Sequence, residues 1–160
     1  MSDLPIIIAG GGIGGLATAI GLAQKGIRSI VLEKAANLGE IGAGIQLGPN
    51  AFHAFDYLGV GDAARNMAVY IDNLRLMDAL TGQEITRIPL GDAFRERFKN
   101  PYAVVHRGDL HGVFLQACVE HDLVELRTNS GVARYDQDGT TATAILENGD
   151  RVTGKALIGA

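Results

Sequence analysis

Three glycines near the start of the chain, Gly10, Gly12 and Gly15, have the G-x-G-x-x-G spacing of a phosphate-binding loop. In such a loop the first glycine allows a tight turn, the second lets the backbone approach a pyrophosphate, and the third lets a helix pack closely on a strand. The helix that follows presents free N–H groups and the positive end of its dipole to the phosphates. We therefore predict a phosphate-binding loop that comprises Gly10, Gly12, Ile13, Gly14 and Gly15.

Glu33 is the second residue whose type and position could do chemistry. It follows an apolar run and lies 18 residues after Gly15. An acid at this spacing ends the second strand of a strand–helix–strand unit and accepts hydrogen bonds from the hydroxyls of an adenosine ribose. No Arg or Lys stands where it would clearly suit a 2′-phosphate, so the pattern favours FAD or NAD over NADP. A solvated acid at a strand end is the alternative interpretation.

These residues need two strands and a helix to position them. Apolar runs predict strands over residues 4–8 and 28–32, and an Ala- and Leu-rich run predicts a helix over 13–24 that is closed by Gly26. A unit of this kind pairs its strands in parallel through a right-handed crossover. The expected fold class is therefore α/β with a Rossmann-like βαβ unit.

The rest of the chain is predicted to alternate between short helices and strands. Helices are expected over residues 50–58, 61–67 and 110–120, the last with Asp109 as its N-cap, while residues 33–50 are expected to form an ordered loop. Strands are expected over residues 74–77, 84–88, 103–106, 124–127, 132–136, 141–146 and 151–153 and over the final segment KALIGA, taken as a buried strand. Asp-Gly and Asn-Gly pairs at 138–139 and 148–149 predict hairpins.

Composition narrows the class of protein. The 160 residues are 47% hydrophobic and 20% charged, which is typical of one globular domain. A net charge of −4 provides no basic excess for nucleic acid, and no run of 18 apolar residues predicts a membrane span. Cys118 is the only cysteine, so we expect a buried thiol and neither a disulfide nor a cysteine metal site. The start of the chain does not resemble a signal peptide, and we expect a cytoplasmic protein.

Four histidines, His53, His106, His111 and His121, invite a catalytic or metal-binding interpretation. No pair has a recognised zinc spacing with further ligands. We predict neither a metal site nor a catalytic residue among them.

Three later stretches resemble segments of the single-component FAD-dependent aromatic hydroxylases. They are LGEIGAGIQLGPNA (38–51), YAVVHRGDLHGVF (102–114) and KALIGA (155–160), and the resemblance covers the whole chain in order. The run IPLGDAFRERFKNPYAVVHRGDLHG (88–112) is most similar to members that hydroxylate 3-hydroxybenzoate, with salicylate hydroxylases next. The resemblance implies a Rossmann-like FAD-binding domain with a parallel sheet plus β-hairpin and meander insertions, truncated before the substrate domain.

The resemblance also implies roles for particular residues. Glu33 and the Lys34 backbone would bind the adenosine ribose, and the backbone of Val132 would pair with the adenine. For Val132 an ordinary edge-strand valine is an equal alternative.

On the flavin side, the resemblance places Ala43 in a loop beside the isoalloxazine and Gln46 near the ribityl chain. Arg107 would bind the FAD phosphates or the ribityl hydroxyls, because its permanent charge neutralises a pyrophosphate at any working pH. A salt bridge from Arg107 to Asp109 or Glu120 is the alternative.

As a function, the resemblance implies an FAD-dependent monooxygenase. It would use NADH or NADPH and O2 to hydroxylate a small phenolic aromatic acid, 3-hydroxybenzoate to 2,5-dihydroxybenzoate first and salicylate next. We expect residues 1–160 to be the incomplete amino-terminal FAD-binding domain, with about 70–105 starting the substrate-side sheet, inactive alone and homodimeric when full length. The alternatives are an NAD-linked Rossmann dehydrogenase domain and a non-catalytic flavin-binding fragment.

Overall fold

The computed structural model describes residues 4–39 and 43–160. The chain divides into two compact units: the first comprises Met1–Ile41 and Leu110–Ala160, and the second comprises Gly42–Asp109. Strands are β1 (Ile6–Ala9), β2 (Ser29–Leu32), β3 (Gly44–Leu47), β4 (Val69–Tyr70), β5 (Asn73–Met77), β6 (Glu84–Pro89), β7 (Ala103–His106), β8 (Val124–Arg127), β9 (Val132–Gln137), β10 (Ala142–Leu146), β11 (Arg151–Gly154) and β12 (Ala156–Gly159). Helices are α1 (Ile13–Ala23), α2 (Pro49–Leu58), α3 (Gly61–Met67), α4 (Asp92–Phe98) and α5 (Arg107–Val119).

A parallel sheet of four strands, in the order β12-β1-β2-β8, forms the centre of the first unit. The predicted parallel pairing of the first two strands is confirmed, with Ile7 opposite Ile30. All four residues of β2 are buried, as expected for a parallel strand that is covered on both faces. The α/β fold class is therefore confirmed.

An antiparallel sheet, in the order β11-β10-β9, belongs to the same unit. Its residues Ala144, Leu146 and Val152 form one buried cluster with Ile7 and Leu32 of the parallel sheet. The predicted hairpin turns are confirmed: β9 pairs with β10 and β10 with β11, and the glycine of each turn has a positive φ, 85° at position 139 and 90° at position 149.

The second unit contains an antiparallel sheet in the order β3-β7-β4, a separate hairpin of β5 and β6, and helices α2, α3 and α4. Three of these elements were not predicted: the strands β3 and β4 and the helix α4. Strand β3 lies within the stretch expected to be a loop, because its glycine-rich sequence becomes a strand only by pairing with β7. Helix α4 was not predicted, since a seven-residue segment with no buried residue carries no apolar periodicity.

Two further predictions were wrong at the ends of elements. Helix α5 begins at Arg107, directly after β7, so Asp109 lies in its first turn and is not its N-cap. Strand β12 exists, but it is not buried: Ala156 and Gly159 are exposed and the two residues between them are half-buried. Along the described residues β12 pairs with β1 alone, so it is an edge strand of this sheet.

Cys118 lies in the buried face of α5 and is fully inaccessible to solvent, as predicted. Burial raises the pKa of its thiol to about 12, which makes it unreactive near neutral pH. None of the helices in the described part of the chain is long and apolar enough to cross a membrane.

Candidate dinucleotide-binding site

The turn from β1 into the glycine loop is made at Gly10. Its φ is +121°, a conformation that residues with a side chain rarely adopt. A Cβ on Gly10 would also overlap the carbonyl oxygen of Ala160, which follows β12. The first glycine of the motif is therefore required by both the turn and the packing.

The start of α1 is packed against this turn. A Cβ on Gly15 would overlap the carbonyl oxygen of Gly10, so the predicted close helix–strand packing at the third glycine is confirmed. Gly12 caps α1 in an extended conformation, and its carbonyl oxygen accepts a hydrogen bond from the Leu16 N–H at 3.0 Å. A Cβ on Gly14, by contrast, would point into open space. Contacts of these residues with phosphate stay a prediction.

Glu33 directly follows β2, and both of its carboxylate oxygens accept hydrogen bonds from the backbone. Oε2 accepts from the Gly11 N–H at 2.7 Å and Oε1 accepts from the Ala35 N–H at 2.8 Å. Each carboxylate oxygen has a second lone pair, so both can still accept a hydroxyl proton. Glu33 therefore ties the glycine loop to the end of β2 while keeping the capacity to bind a ribose.

The electrostatics of Glu33 favour its charged form. Partial burial by itself raises the pKa of this carboxyl, but the N–H groups of Ala35 and Gly11 and the Lys34 charge outweigh it, and the pKa is lowered below its usual value. Glu33 is thus an anion at neutral pH, which is the state that accepts hydroxyl protons.

A cavity of about 300 Å³ lies beside the glycine loop and the end of β2. Five of the predicted cofactor-binding residues line it together: Gly10, Gly12, Glu33, Lys34 and Val132. The sequence motif and the strand-end acid thus meet at one concave surface of the first unit. Val132, which the resemblance pairs with the adenine, lines the same surface at the start of β9.

A second, smaller cavity of about 160 Å³ adjoins the loop and is lined by Gly11, Gly12, Glu33 and His111, among others. His111 is 2% exposed, and its Nε2 lies 2.8 Å from the carbonyl oxygen of Gly11. Sequence reasoning did not place His111 here. The available signal was its position beside Leu110 in the buried stripe of α5, because a buried imidazole needs a hydrogen-bond partner.

Three further predicted cofactor-binding residues, Ala43, Gln46 and Arg107, lie in the second unit, while Ile13 is the first residue of α1 in the first unit. The backbone N–H of Arg107 donates to the carbonyl oxygen of Ala43 at 3.1 Å, at the end where β3 and β7 pair. The Tyr102 hydroxyl donates to Oε1 of Gln46 at 2.5 Å. Gln46 thus lies in β3, while Ala43 directly precedes β3 and Arg107 directly follows β7. Their contacts with a flavin stay predictions.

The other histidines have partners outside the loop. His53 lies within hydrogen-bond distance of the Phe98 carbonyl and of Asn100, and His121 accepts from a backbone N–H. His106 lies 3.7 Å from a carboxylate oxygen of Asp109, with both side chains exposed. Within residues 4–39 and 43–160, no group of three His, Cys, Asp or Glu side chains could hold a metal ion.

The pattern of the protein family described as "FAD binding domain" matches residues 3–160 of the chain. The chain belongs to this family.

Two relatives with related sequences support this family assignment. The chain is 56% identical to 3-hydroxybenzoate 6-hydroxylase 1 of Aquipseudomonas alcaligenes, over 97% of the chain and 39% of the relative. It is 52% identical to 3-hydroxybenzoate 6-hydroxylase of Polaromonas naphthalenivorans, over 99% of the chain and 40% of the relative.

A solved structure with bound FAD has a similar fold. A variant of Klebsiella pneumoniae HpxO, crystallised with FAD, superposes with a TM-score of 0.77 at 27% identity, over 96% of this chain and 38% of that one. The chain thus spans about two fifths of the length of these three proteins.

Proposed function

We propose that this chain binds FAD and supplies the cofactor-binding part of a flavoprotein monooxygenase. In this proposal the backbone of Gly10, Gly12, Ile13, Gly14 and Gly15 binds the pyrophosphate. Glu33 and the Lys34 backbone bind the adenosine ribose, and the Val132 backbone binds the adenine. Ala43, Gln46 and Arg107 are assigned to the flavin side on the sequence resemblance.

The residues present fit such a cofactor. The ionised carboxylate of Glu33 lines the same cavity as two glycines of the loop, Gly10 and Gly12. A backbone loop at the start of α1 suits an anionic pyrophosphate, and a carboxylate with free lone pairs suits a ribose diol. The cavity that joins this carboxylate to the glycine loop is the single observation that carries the proposal.

For the reaction, we propose hydroxylation of a phenolic aromatic acid, with 3-hydroxybenzoate as the first candidate and salicylate as the second. Two relatives that are more than half identical carry the name 3-hydroxybenzoate 6-hydroxylase, which supports this choice. The bound flavin supplies the redox chemistry between NADH or NADPH and O2. The chain's own residues bind and orient the cofactor.

Titration of the purified chain with FAD tests the cofactor assignment. We expect saturable binding of FAD, observed as a change in flavin fluorescence. ADP should displace the bound FAD, because it shares the pyrophosphate and ribose contacts. NAD serves as the competing ligand for the alternative of a dehydrogenase domain. Tight NAD binding without FAD binding would replace our proposal by that alternative, and binding of neither dinucleotide would remove both.

A further inference from the structure

The phosphate loop contains three consecutive glycines, Gly10, Gly11 and Gly12. Glycine populates regions of backbone conformation that other residues avoid, so two successive peptide planes in this loop have little intrinsic preference for one orientation. A loop that binds phosphate through its N–H groups needs those groups fixed in direction before the ligand arrives, because ordering them on binding costs affinity. Other parts of the chain must therefore hold these peptides.

The structure shows a separate partner for each of the two peptide planes. The Gly10–Gly11 peptide is held through its N–H, which donates to Oε2 of Glu33 at 2.7 Å. The Gly11–Gly12 peptide is held through its carbonyl oxygen, 2.8 Å from Nε2 of His111. A carbonyl oxygen can only accept, so Nε2 of His111 carries the hydrogen in this bond.

The direction of the second peptide follows from its planarity. The described peptides include no cis bonds, so the carbonyl and the N–H of the Gly11–Gly12 peptide point in opposite directions. Since the carbonyl points to His111, the N–H of Gly12 points away from it. Gly12 also lines the 300 Å³ cavity beside Glu33 that we assign to the cofactor.

We propose that His111 is a positioning residue that locks the Gly11–Gly12 peptide and so presents the Gly12 N–H to the phosphates of the dinucleotide. This inference rests on the proposed FAD binding. His111 acts through the backbone of the loop and does not itself contact the ligand.

The packing of α5 gives His111 a fixed position for this task. Leu110, His111, Phe114 and Cys118 form the buried face of the helix. Two turns after His111, the Cys118 thiol lies 3.5 Å from the carbonyl oxygen of Leu16 in α1. The imidazole is therefore anchored on a packed helix, and without it the Gly11 carbonyl would be left without this donor in a buried setting, which favours rotation of the peptide.

The test compares His111→Met, which removes the donor and keeps an apolar side chain, with His111→Gln, whose amide nitrogen can reach the place of Nε2. Cys118→Ala is the matched control, because it removes another buried side chain from the same face of α5. For each variant, dissociation constants for FAD, ADP and adenosine are measured by displacement of FAD fluorescence or by calorimetry. Thermal unfolding gives the folded fraction.

We expect His111→Met to weaken FAD and ADP binding roughly tenfold, the change that corresponds to one lost buried hydrogen bond. Adenosine, which has no phosphate, should bind within about threefold of the wild type, and His111→Gln should restore ADP binding to that range. Cys118→Ala should lower the melting temperature and leave ADP binding unchanged. Amide exchange of the ligand-free chain should show faster exchange at residues 10–16 in His111→Met only.

Three results would overturn the inference. The first is that His111→Met binds ADP as tightly as the wild type does. The second is that His111→Met binds ADP and adenosine more weakly by the same factor, since this would indicate general damage to the site. The third applies if His111→Met does not fold, in which case His111→Asn replaces it. The asparagine side chain is too short to reach Gly11, so an ADP affinity equal to that of His111→Gln would contradict the inference.

Failure of this inference can be distinguished from failure of the proposed function. If the wild type binds FAD and the variants bind ADP as the wild type does, only this inference fails. If the wild type binds neither FAD nor ADP, the proposed function fails and the inference falls with it.

Discussion

At the scale of single residues, Glu33 has two tasks that the sequence motif does not separate. Its carboxylate is expected to bind a ribose, and it already accepts a hydrogen bond from the N–H of Gly11 in the glycine loop. A substitution at Glu33 therefore changes both the ligand contact and the shape of the loop. This double role is why the conservative amide is more informative than alanine at this position.

Glu33→Gln should weaken FAD binding by about tenfold to a hundredfold, the range for a lost hydrogen bond to a charged group. Glutamine keeps one acceptor oxygen, so either the Gly11 N–H or the Ala35 N–H will face an NH2 group. Fluorescence titration measures the effect. Glu125→Gln is the control, because Glu125 is an exposed acid whose salt bridge with Arg127 contributes little. Equal affinities in the two variants would contradict the role of Glu33.

The lowered pKa of Glu33 also predicts a pH dependence of stability. A carboxyl with a folded-state pKa below its unfolded value near 4.5 stabilises the folded chain above that value, and the contribution is lost as pH falls through the folded pKa. The free energy of unfolding of the wild type should therefore exceed that of Glu33→Gln at pH 7. The gap should narrow steadily below about pH 4.5. Urea unfolding of both proteins between pH 7 and pH 3 measures this gap, and a constant difference would show that Glu33 is not stabilised in its charged form.

At the scale of secondary-structure elements, the contact between β1 and α1 fixes the loop. Helix α1 starts so close to β1 that the carbonyl of Gly10 occupies the space of a side chain at Gly15. The neighbouring Gly14 faces open space. The two adjacent glycines of one helix thus have different surroundings, and substitution distinguishes them.

Gly15→Ala should destabilise the ligand-free chain by about 1–3 kcal/mol, the usual effect of forcing an extra group into a packed contact. Gly14→Ala is the matched control. It should leave the stability unchanged or raise it by up to about 1 kcal/mol, because alanine favours helix over glycine. Chemical denaturation without FAD measures both. Equal destabilisation by the two substitutions would mean that the contact with Gly10 does not limit packing.

At the scale of the whole molecule, the chain spans 39% of the length of 3-hydroxybenzoate 6-hydroxylase 1 of Aquipseudomonas alcaligenes. The roles assigned to the glycine loop, Glu33 and Val132 concern cofactor binding. Hydroxylation further requires the aromatic ring to be held against the flavin where water is excluded. Neither the glycine loop nor the strand-end acid activates a phenol.

We therefore expect the 160-residue chain to bind FAD without hydroxylating 3-hydroxybenzoate. Any oxidation of NADH by the chain should yield hydrogen peroxide instead of a hydroxylated product. Chromatography of an aerobic reaction with FAD, NADH and 3-hydroxybenzoate, together with a peroxide assay, measures both products. Stoichiometric 2,5-dihydroxybenzoate would contradict this expectation and place the catalytic group within the chain.

The sequence predicted those parts of the fold whose signals are local. Continuous apolar runs located β1 and β2, Asp-Gly and Asn-Gly pairs located the hairpins, and the range predicted for α3 agrees with the observed one. Prediction from the sequence failed where contacts with residues distant in the chain decide the structure. Strand β3 needs its pairing with β7, and the start of α5 is set at Arg107 directly after β7. No local signal marked either feature.

For the candidate site, the sequence by itself determined which residues belong to a dinucleotide motif, because the spacing of Gly10, Gly12 and Gly15 and the acid at Glu33 are properties of the chain order. Only the tertiary structure decided how the loop is held. Glu33 is 22 residues and His111 is 100 residues away from Gly11. Hydrogen bonds at such separations depend on the pairing of β2 with β1 and on the contacts of α5 with the glycine loop and α1. The glycines leave the loop free to take many shapes, so these distant side chains have to select one.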